Sequence, residues 1–339
     1  MKDTVLVTGA AGYIGSHVVC SLVDAGYKVL GVDNFANSVP QIVAALEVLC
    51  GKDFVFHRID LREAEPVHSL FDKNEIACVL HLAGLKSVSE SCDLPLKYYD
   101  WNLGATFPLL SAMYQQQVTK FVFSSSATVY GSPEVLPISE NHTLSPINPY
   151  GATKLIIENI IRDICAADSS WSTVSLRYFN PIGAHSSRMI GELPLDQPSN
   201  LMPIILQVAA KERPFFEIFG ADYNTADGTG IRDYVHVQDL ADAHAAAVNY
   251  LMNAGQGFEE INIGTGTGYS VAQIVETFET VNEVSIPRRL SSRRQGDVEI
   301  CFADVTKARD ILKWEAGRSL EDMCKSAWDF YLTTTEGLG

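Results

Sequence analysis

The sequence predicts an α/β protein built on a doubly wound parallel sheet, with a smaller, loop-rich α/β domain towards the carboxyl terminus. Three features carry this prediction: near-continuous apolar runs in the first half, amphipathic stretches between them, and a glycine-rich turn after the first run. Strands that helices cover on both faces are apolar along their whole length, whereas half-exposed strands alternate. Strands that alternate with helices form βαβ units and therefore a parallel sheet.

Six segments of the first half are predicted as strands, namely residues 4–9, 28–33, 54–60, 78–84, 120–126 and 173–180. Helical periodicity separates them and is clearest over residues 13–26 and 102–117. After residue 180 the chain becomes rich in Pro, Gly and Ser, and its elements become short. A later helix and strand, over residues 239–251 and 259–266, are expected to return to the main sheet. The prediction is therefore one domain of residues 1–179 with 234–263, and a second of residues 180–233 with 264–339.

The composition argues against several classes of protein. The 339 residues suffice for a large core, and 41 acidic against 25 basic residues give a net charge of −16, which disfavours nucleic acid as a partner. The seven cysteines are scattered without a C-x-x-C pair, so neither a disulfide framework nor a metal site is expected. No apolar run reaches the roughly 18 residues of a membrane span, and the amino terminus lacks the zones of a signal peptide. We therefore expect a cytoplasmic protein that binds neither membranes nor nucleic acid.

The first predicted strand leads into a turn that contains Gly9, Gly12 and Gly15 and opens a helix. Glycine lets the backbone approach a pyrophosphate, and a helix N-terminus offers free N–H groups and the positive end of its dipole. The spacing is G-x-x-G-x-x-G and differs from the G-x-G-x-x-G of many dehydrogenases. A plain tight turn is the alternative, but the strand–turn–helix context favours a dinucleotide site of the Rossmann type.

Asp33 ends the second predicted strand, where a carboxylate accepts hydrogen bonds from the adenosine ribose and repels a 2′-phosphate. This predicts NAD rather than NADP, although a turn role for Asp33 is the alternative. Asp60 ends the third strand and is placed to reach the adenine, although this residue taken alone favours that role no more than its absence.

Tyr150 and Lys154 are four residues apart at the start of a predicted helix, so they lie on one helical face. A phenol has a pKa near 10, which an adjacent ammonium and an oxidised nicotinamide would lower. Such a tyrosine removes a hydroxyl proton as a general base. Taken alone, the spacing also fits a surface pair. Ser126, at the end of the fifth strand, is expected to share a proton with the phenol and the substrate, although a polar serine-capped loop is the alternative.

Seven segments together resemble the extended short-chain dehydrogenase/reductase superfamily and, within it, the UDP-glucose 4-epimerase family. They are VTGAAGYIGSH, HLAGLKSVSES, FSSSATVYG, PYGATK, LRYFNPIGAH, NLMP and DGTGIRDYVHV, and the resemblance runs from about residue 4 to about residue 330.

The resemblance implies an isomerase of galactose metabolism that uses bound NAD without net oxidation. NAD would take hydride from C4 of a UDP-hexose while Tyr150 takes the proton and Ser126 bridges. The 4-keto sugar would then turn about its diphosphate and be reduced on the other face. Lys154 would hold the nicotinamide ribose. The implied further cofactor contacts are Gly9, Gly12, Tyr13, Ile14, Gly15, Asp33, Asn34, Asn37, Asp60, Leu61, Leu82, Ala83, Lys86, Asn102 and Phe179. Besides Ser126 and Tyr150, the implied substrate contacts are Asn180, Asn200, Leu201, Phe219, Arg232, Arg294, Asp297 and Cys301.

Cys301 falls where the resemblance places the gate of the sugar pocket. A large tyrosine there restricts relatives to glucose and galactose, so the small cysteine predicts activity on the N-acetylhexosamines too. A small buried hydrophobe is the alternative role for the thiol. Arg232 and Arg294 would bind the diphosphate, with a solvated surface cation as the alternative. Dehydratases of the superfamily carry acidic residues after the serine position, where this chain has Ala127 and Thr128.

Two other functions stay open from the sequence. One is 4-epimerisation of another UDP-sugar, such as a pentose or a uronate. The other is a nucleotide-sensing module without catalysis, since a fold does not decide a function. The resemblance also implies a homodimer formed through helices near residues 94–117 and 150–167.

Overall fold

The computed structural model describes residues 2–195, 197–198, 200–294 and 297–336. Its strands are β1 (Thr4–Thr8), β2 (Lys28–Asp33), β3 (Phe54–Arg58), β4 (Cys78–His81), β5 (Lys120–Ser126), β6 (Ser172–Tyr178), β7 (Asn180–Ile182), β8 (Phe216–Phe219), β9 (Ile231–His236), β10 (Gly257–Ile263), β11 (Gly268–Ser270), β12 (Arg288–Ser291) and β13 (Ile300–Cys301). Its α-helices are α1 (Tyr13–Asp24), α2 (Pro40–Cys50), α3 (Ala64–Lys73), α4 (Val88–Asp93), α5 (Pro95–Gln115), α6 (Pro149–Ala167), α7 (Leu201–Ala209), α8 (Val237–Asn253), α9 (Val271–Asn282) and α10 (Leu320–Glu336).

Seven parallel strands form the central sheet in the order β10-β6-β5-β4-β1-β2-β3. All six strands predicted in the first half belong to it. The apolar runs of β1, β2, β4, β5 and β6 are buried as expected, whereas β3, at the edge of the sheet, buries only Phe54. Strands β3 and β4 end earlier than predicted, at Arg58 and His81. Residues 59–60 and 82–84 form connections at the carboxyl edge of the sheet instead.

Helices cover both faces of this sheet, so the doubly wound prediction is confirmed. Helices α1, α2 and α8 contribute to one buried cluster with residues such as Val18, Leu46 and Ala247. Helices α3, α5 and α6 contribute to the cluster on the other face, with residues such as Leu70 and Leu109. Since all strands are parallel, every strand–helix connection at their carboxyl ends lies along one edge of the sheet.

The chain after β6 builds two smaller sheets. Strands β7, β9, β11 and β13 form one, and β8 pairs with β12 in the other. Helices α7, α9 and α10 pack over them around a third apolar cluster that includes Phe278 and Met323. Strand β10 leaves this region and pairs in parallel with β6. The two domain limits stay a prediction, and residues 337–339 of the second domain lie outside the described residues.

Among the residues that the structure describes, no helix has both the length and the apolar character that crossing a bilayer requires.

Candidate active site

The turn after β1 is closed so tightly that side chains are excluded from it. A Cβ atom on Gly15 would lie 2.0 Å from the Gly9 carbonyl oxygen, and one on Gly9 would lie 2.8 Å from the Ala83 backbone nitrogen. Gly9 also has a φ of +69°, a conformation that favours glycine. Helix α1 starts at Tyr13 without a side-chain cap, so no side chain occupies its first N–H groups. These features fit the pyrophosphate of a dinucleotide.

The Asp33 carboxylate is tied to this turn from the end of β2. One oxygen accepts a hydrogen bond from the Ala11 backbone N–H at 3.1 Å. The other accepts from the Phe35 backbone N–H at 2.8 Å and from the Ser38 hydroxyl at 3.0 Å. The carboxylate is thus fixed beside the glycine turn, as a ribose contact requires. It also stabilises the following turn, so both interpretations of Asp33 fit the geometry.

Asp60 is fixed by an arginine that sequence reasoning missed. The Arg62 guanidinium donates to both Asp60 oxygens, at 3.0 and 2.7 Å, and its plane stacks over the Trp101 ring at 3.8 Å. The hydrogen bonds from Arg62 hold the pKa of Asp60 at about 2. Asn34 donates to the same carboxylate at 3.2 Å. The carboxylate therefore stays ionised at the edge where the adenine would bind.

The remaining predicted cofactor contacts lie around these two carboxylates and the loop after β4. Asn102 is buried and exchanges hydrogen bonds with the backbone of Leu85, and it also donates to Thr153 at 3.0 Å. Asn102 therefore holds this loop against α6. Lys86 pairs with Glu192 at 3.2 Å. Leu61 is buried in the core and Asn37 is exposed. Ile14, Leu82 and Ala83 pack against the core clusters beside the turn.

Ser126, Tyr150 and Lys154 meet where β5 ends and α6 begins. Asn148 caps α6 by accepting the Gly151 N–H at 2.8 Å, which sets Tyr150 in the first turn. One turn later the buried Lys154 ammonium donates to the Ser124 carbonyl at 2.7 Å and lies 5.7 Å from the centre of the Tyr150 ring. The Ser126 hydroxyl accepts a hydrogen bond from Thr128 and interacts with the Tyr150 phenol.

Burial dominates the electrostatics of this trio. It raises the pKa of the Tyr150 phenol, against the opposing effect of the Ser126 hydroxyl. It also lowers the pKa of Lys154 to about 8, against the opposing effect of the Glu158 carboxylate. Lys154 is thus mostly protonated at neutral pH. These side chains alone do not favour the Tyr150 phenolate that the sequence predicts. That an oxidised nicotinamide beside Lys154 lowers the pKa of Tyr150 stays a prediction.

The predicted substrate residues form two groups of contacts. Cys301 in β13 lies opposite Arg232 in β9 across a parallel strand pair, and it packs against a small apolar cluster that includes Phe179. Arg294 is exposed and stacks on the Phe219 ring at 3.9 Å, while the Asp297 N–H donates to the Arg294 carbonyl.

Three further predicted substrate residues lie on the segments that lead into the smaller sheets. Asn180 begins β7 and is exposed. Asn200 donates to Glu192 at 3.0 Å, just before Leu201 starts α7. Glu192 thus joins the loop of Lys86 to the start of α7, a link that no sequence pattern around it signals.

Sequence and structure comparisons give the relationship to known proteins. The family model described as GDP-mannose 4,6 dehydratase matches residues 6–327. The UDP-glucose 4-epimerase of Dictyostelium discoideum is 48% identical over 337 residues, which cover 99% of this chain and 98% of that protein. The chain belongs to the UDP-glucose 4-epimerase family.

Solved epimerase structures superpose on nearly the whole chain. The UDP-glucose 4-epimerase of Stenotrophomonas maltophila, with bound NAD and formylated UDP-arabinopyranose, has a TM-score of 0.96 and 43% identity and covers 99% of both chains. That of Bifidobacterium longum, in complex with NAD+ and UDP, has a TM-score of 0.94 and 43% identity, with 98% and 99% covered. The predicted resemblance and the α/β fold class are both confirmed.

The matching family model carries the description of a dehydratase, whereas the relatives named above are epimerases. The residues that follow Ser126 help to distinguish these two reactions. Eliminating water requires an acid or base beyond the tyrosine, which dehydratases were expected to carry after the serine position. In this epimerase-family chain, Ala127 and Thr128 follow Ser126 in a short 3₁₀ helix, and the Thr128 hydroxyl is used to bond Ser126 at 3.0 Å. This arrangement supplies no carboxylate at that point.

Proposed function

We propose that this chain interconverts UDP-galactose and UDP-glucose by transient oxidation of the sugar at C4, with NAD as a retained cofactor. The observation that carries the proposal is the meeting of Ser126, Tyr150 and Lys154 at the carboxyl edge of the sheet that also bears the glycine turn. The relatives crystallised with NAD and with UDP or a UDP-sugar support the choice of ligands.

The chain's own groups account for holding the cofactor. The N–H groups at the start of α1 would face the pyrophosphate, Asp33 the adenosine ribose and Asp60 the adenine edge. Lys154 would hold the nicotinamide ribose from the α6 side. When bound, NAD accepts hydride from the sugar and returns it.

Proton transfer falls to Tyr150. Its phenol lies at the start of α6, where it would take the proton of the sugar 4-hydroxyl, with Ser126 hydrogen-bonding the same oxygen. Because burial raises the pKa of Tyr150, the phenolate would need the positive charge of the oxidised nicotinamide, which Lys154 would hold beside it. The 4-keto sugar would turn about its diphosphate link, and Tyr150 would return the proton to the oxygen of the inverted sugar.

Two arginines would bind the diphosphate. Arg232 is half-buried and opposite Cys301, and Arg294 is presented on the face of Phe219. Guanidinium groups recognise phosphate in a forked geometry even on a chain with a net charge of −16. Asn180, Asn200, Leu201 and Asp297 would line the rest of the nucleotide.

The deciding experiment is proton NMR of UDP-galactose incubated with the purified protein and no added NAD. Conversion to UDP-glucose supports both the reaction and a retained cofactor. If nothing converts even after NAD is added, the proposed substrate is wrong. UDP-arabinopyranose then tests epimerisation of a pentose, an alternative that the ligand of the Stenotrophomonas relative favours. Failure on both sugars leaves the non-catalytic alternative.

We further propose that the same site epimerises the UDP-N-acetylhexosamines, because Cys301 leaves room for an acetamido group. The thiol is half-buried against the apolar cluster that includes Phe179, and burial raises its pKa to about 11, so it acts as a small neutral side chain. An inert small residue is what a wide pocket requires.

Cys301→Tyr is expected to abolish turnover of UDP-GalNAc while sparing UDP-galactose, since the larger ring would fill the space of the acetamido group. Rates on both sugars, measured by NMR for the same preparation, check this. Cys301→Ala is the matched control and should keep both activities. Equal loss of the two activities in Cys301→Tyr would contradict the gate.

The homodimer and the cytoplasmic location are also proposals. Helix α5 exposes three large apolar side chains, with Leu96 at 83%, Tyr114 at 70% and Phe107 at 54% exposure. These lie on the helix that the resemblance places in a dimer interface. Light scattering of the purified protein should give twice the mass of the 339-residue chain. The free cysteines among the described residues are compatible with a reducing compartment.

A further inference from the structure

A buried ion pair lies one helical turn beyond Lys154 and is not used by the proposed mechanism. Glu158 in α6 and Arg177 in β6 are both fully buried, and their side chains meet at 2.7 and 3.0 Å in a two-point contact. Buried pairs of this kind are a poor source of stability, because the loss of hydration offsets the attraction. The position of this pair, one helical turn from Lys154, therefore points to a role of Glu158 other than stability.

Glu158 also binds the strand that carries the catalytic serine. The Ser125 hydroxyl donates to Glu158 Oε1 at 2.5 Å, and Ser125 is the register partner of Arg177 across β5 and β6. Each of three consecutive serines thus has a different contact. The Ser124 carbonyl accepts from Lys154, the Ser125 side chain binds Glu158, and Ser126 faces Tyr150.

Tyr150, Lys154 and Glu158 follow one another at four-residue spacing and therefore share one face of α6. The ammonium of Lys154 also lies near His81 in β4 and near the Phe123 ring, at 5.0 Å. Burial keeps His81 neutral, with a pKa of about 3. Tyr178 in β6 lies opposite Ser126 across the strand pair and hydrogen-bonds His244, and burial raises the pKa of its phenol. Among these groups, Glu158 supplies the one carboxylate, and it is paired with Arg177.

Polar groups on the side of Arg177 away from Glu158 accept hydrogen bonds from its guanidinium. Its guanidinium donates to the Tyr130 hydroxyl at 3.0 Å and to the Glu140 carbonyl at 3.1 Å. The Glu140 carboxylate is used separately, as the acceptor of the Asn262 N–H at 2.8 Å. Arg177 is thus held on β6, and Glu158 is held by Arg177.

We infer that Glu158 is a positioning residue for the epimerase reaction, which fixes the end of β5 against α6 through Ser125 and places a negative charge one turn from Lys154. The inference rests on the proposed function. It assigns two separable effects to one side chain, alignment of Ser126 with Tyr150 and retention of the proton on Lys154. The two effects predict different changes in kinetics.

Glu158→Gln is expected to move the alkaline limb of the kcat profile for UDP-galactose to lower pH by about one pH unit. The reason is that Lys154 loses a nearby negative charge and gains an unpaired guanidinium. The KM should stay unchanged, since neither group contacts the UDP. Ser125→Ala is the matched control. It breaks the link to β5 but keeps the charge, so kcat should fall while the alkaline limb stays in place.

A direct titration separates this inference from the proposed reaction. Protein labelled with ¹³C at lysine Cε gives a Lys154 signal, assigned by its loss in Lys154→Met. The titration midpoint of that signal should fall in Glu158→Gln whether or not the sugar is a substrate. If Glu158→Gln does not fold, Glu158→Gln/Arg177→Met makes the same test, and its midpoint should lie below wild type. An unmoved midpoint in the folded variant would overturn the inference, and active wild-type protein would leave the proposed function standing.

Discussion

Tyr150→Phe is expected to lower kcat by about 10²- to 10⁴-fold, the usual contribution of a positioned general base. The variant keeps the ring and its packing at the start of α6 and removes only the hydroxyl that would accept the sugar proton. Lys154 and Ser126 stay in place, since the ammonium is held by the Ser124 carbonyl and the serine by Thr128. The measurement is the rate of UDP-glucose formation from UDP-galactose, with the nucleotide content of the protein determined in parallel.

Tyr250→Phe provides the control for the loss of a tyrosine hydroxyl. Tyr250 lies in the last turn of α8, which runs back to the amino edge of the sheet before β10 starts at Gly257. Its loss should leave kcat unchanged. Wild-type turnover in Tyr150→Phe would remove this residue from the mechanism, and loss of bound nucleotide in that variant would make its role structural.

Gly15→Ala is expected to abolish the retention of NAD by the purified protein, and with it the turnover measured without added cofactor. The new Cβ would lie 2.0 Å from the Gly9 carbonyl oxygen, a backbone atom of the same turn that cannot rotate away. The turn would have to open, which would separate Gly9 from α1 and disturb the N–H groups that would face the pyrophosphate. Overpacking of this kind also costs about 1–3 kcal/mol of folding free energy.

The measurement is the nucleotide released from the denatured protein, together with the free energy of unfolding in urea. Gly317→Ala is the matched control, because a Cβ at that position meets no atom within 4 Å. It should keep the wild-type nucleotide content and stability. Full retention of NAD in a stable Gly15→Ala would contradict the close turn as the reason for the glycine.

Local regularities made much of the fold predictable. Most strands of the first half were visible because burial on both faces leaves few polar positions, and β1 to β6 lie within two residues of the predicted limits at most ends. The ends of β3 and β4 were missed because their last predicted residues turn into the carboxyl-edge loops. After β4, the Thr8 hydroxyl accepts the Ala83 N–H and the Asn102 side chain accepts the Leu85 N–H, so side chains replace the strand ladder there. Such partners are distant in sequence.

The partners of the site residues were less predictable than the residues themselves. No local sequence pattern indicates that Arg62 binds Asp60. The same holds for Glu192, which accepts hydrogen bonds from Lys86 and Asn200. A single arginine or glutamate in a loop is most often a solvated surface charge. The glycine turn and the Tyr150 spacing, in contrast, are short-range patterns whose geometry follows from the backbone.

The turn at Gly9 and Gly15 and the shared helical face of Tyr150 and Lys154 follow from local sequence, because both depend on atoms a few residues apart. The pairing of Glu158 with Arg177, the hydrogen bond from Ser125 to Glu158 and the effect of burial on the pKa of Tyr150 depend instead on the folded chain. Charge pairing and loss of hydration depend on every element packed around a group. Those elements come together only when β5, β6 and α6 have folded against one another.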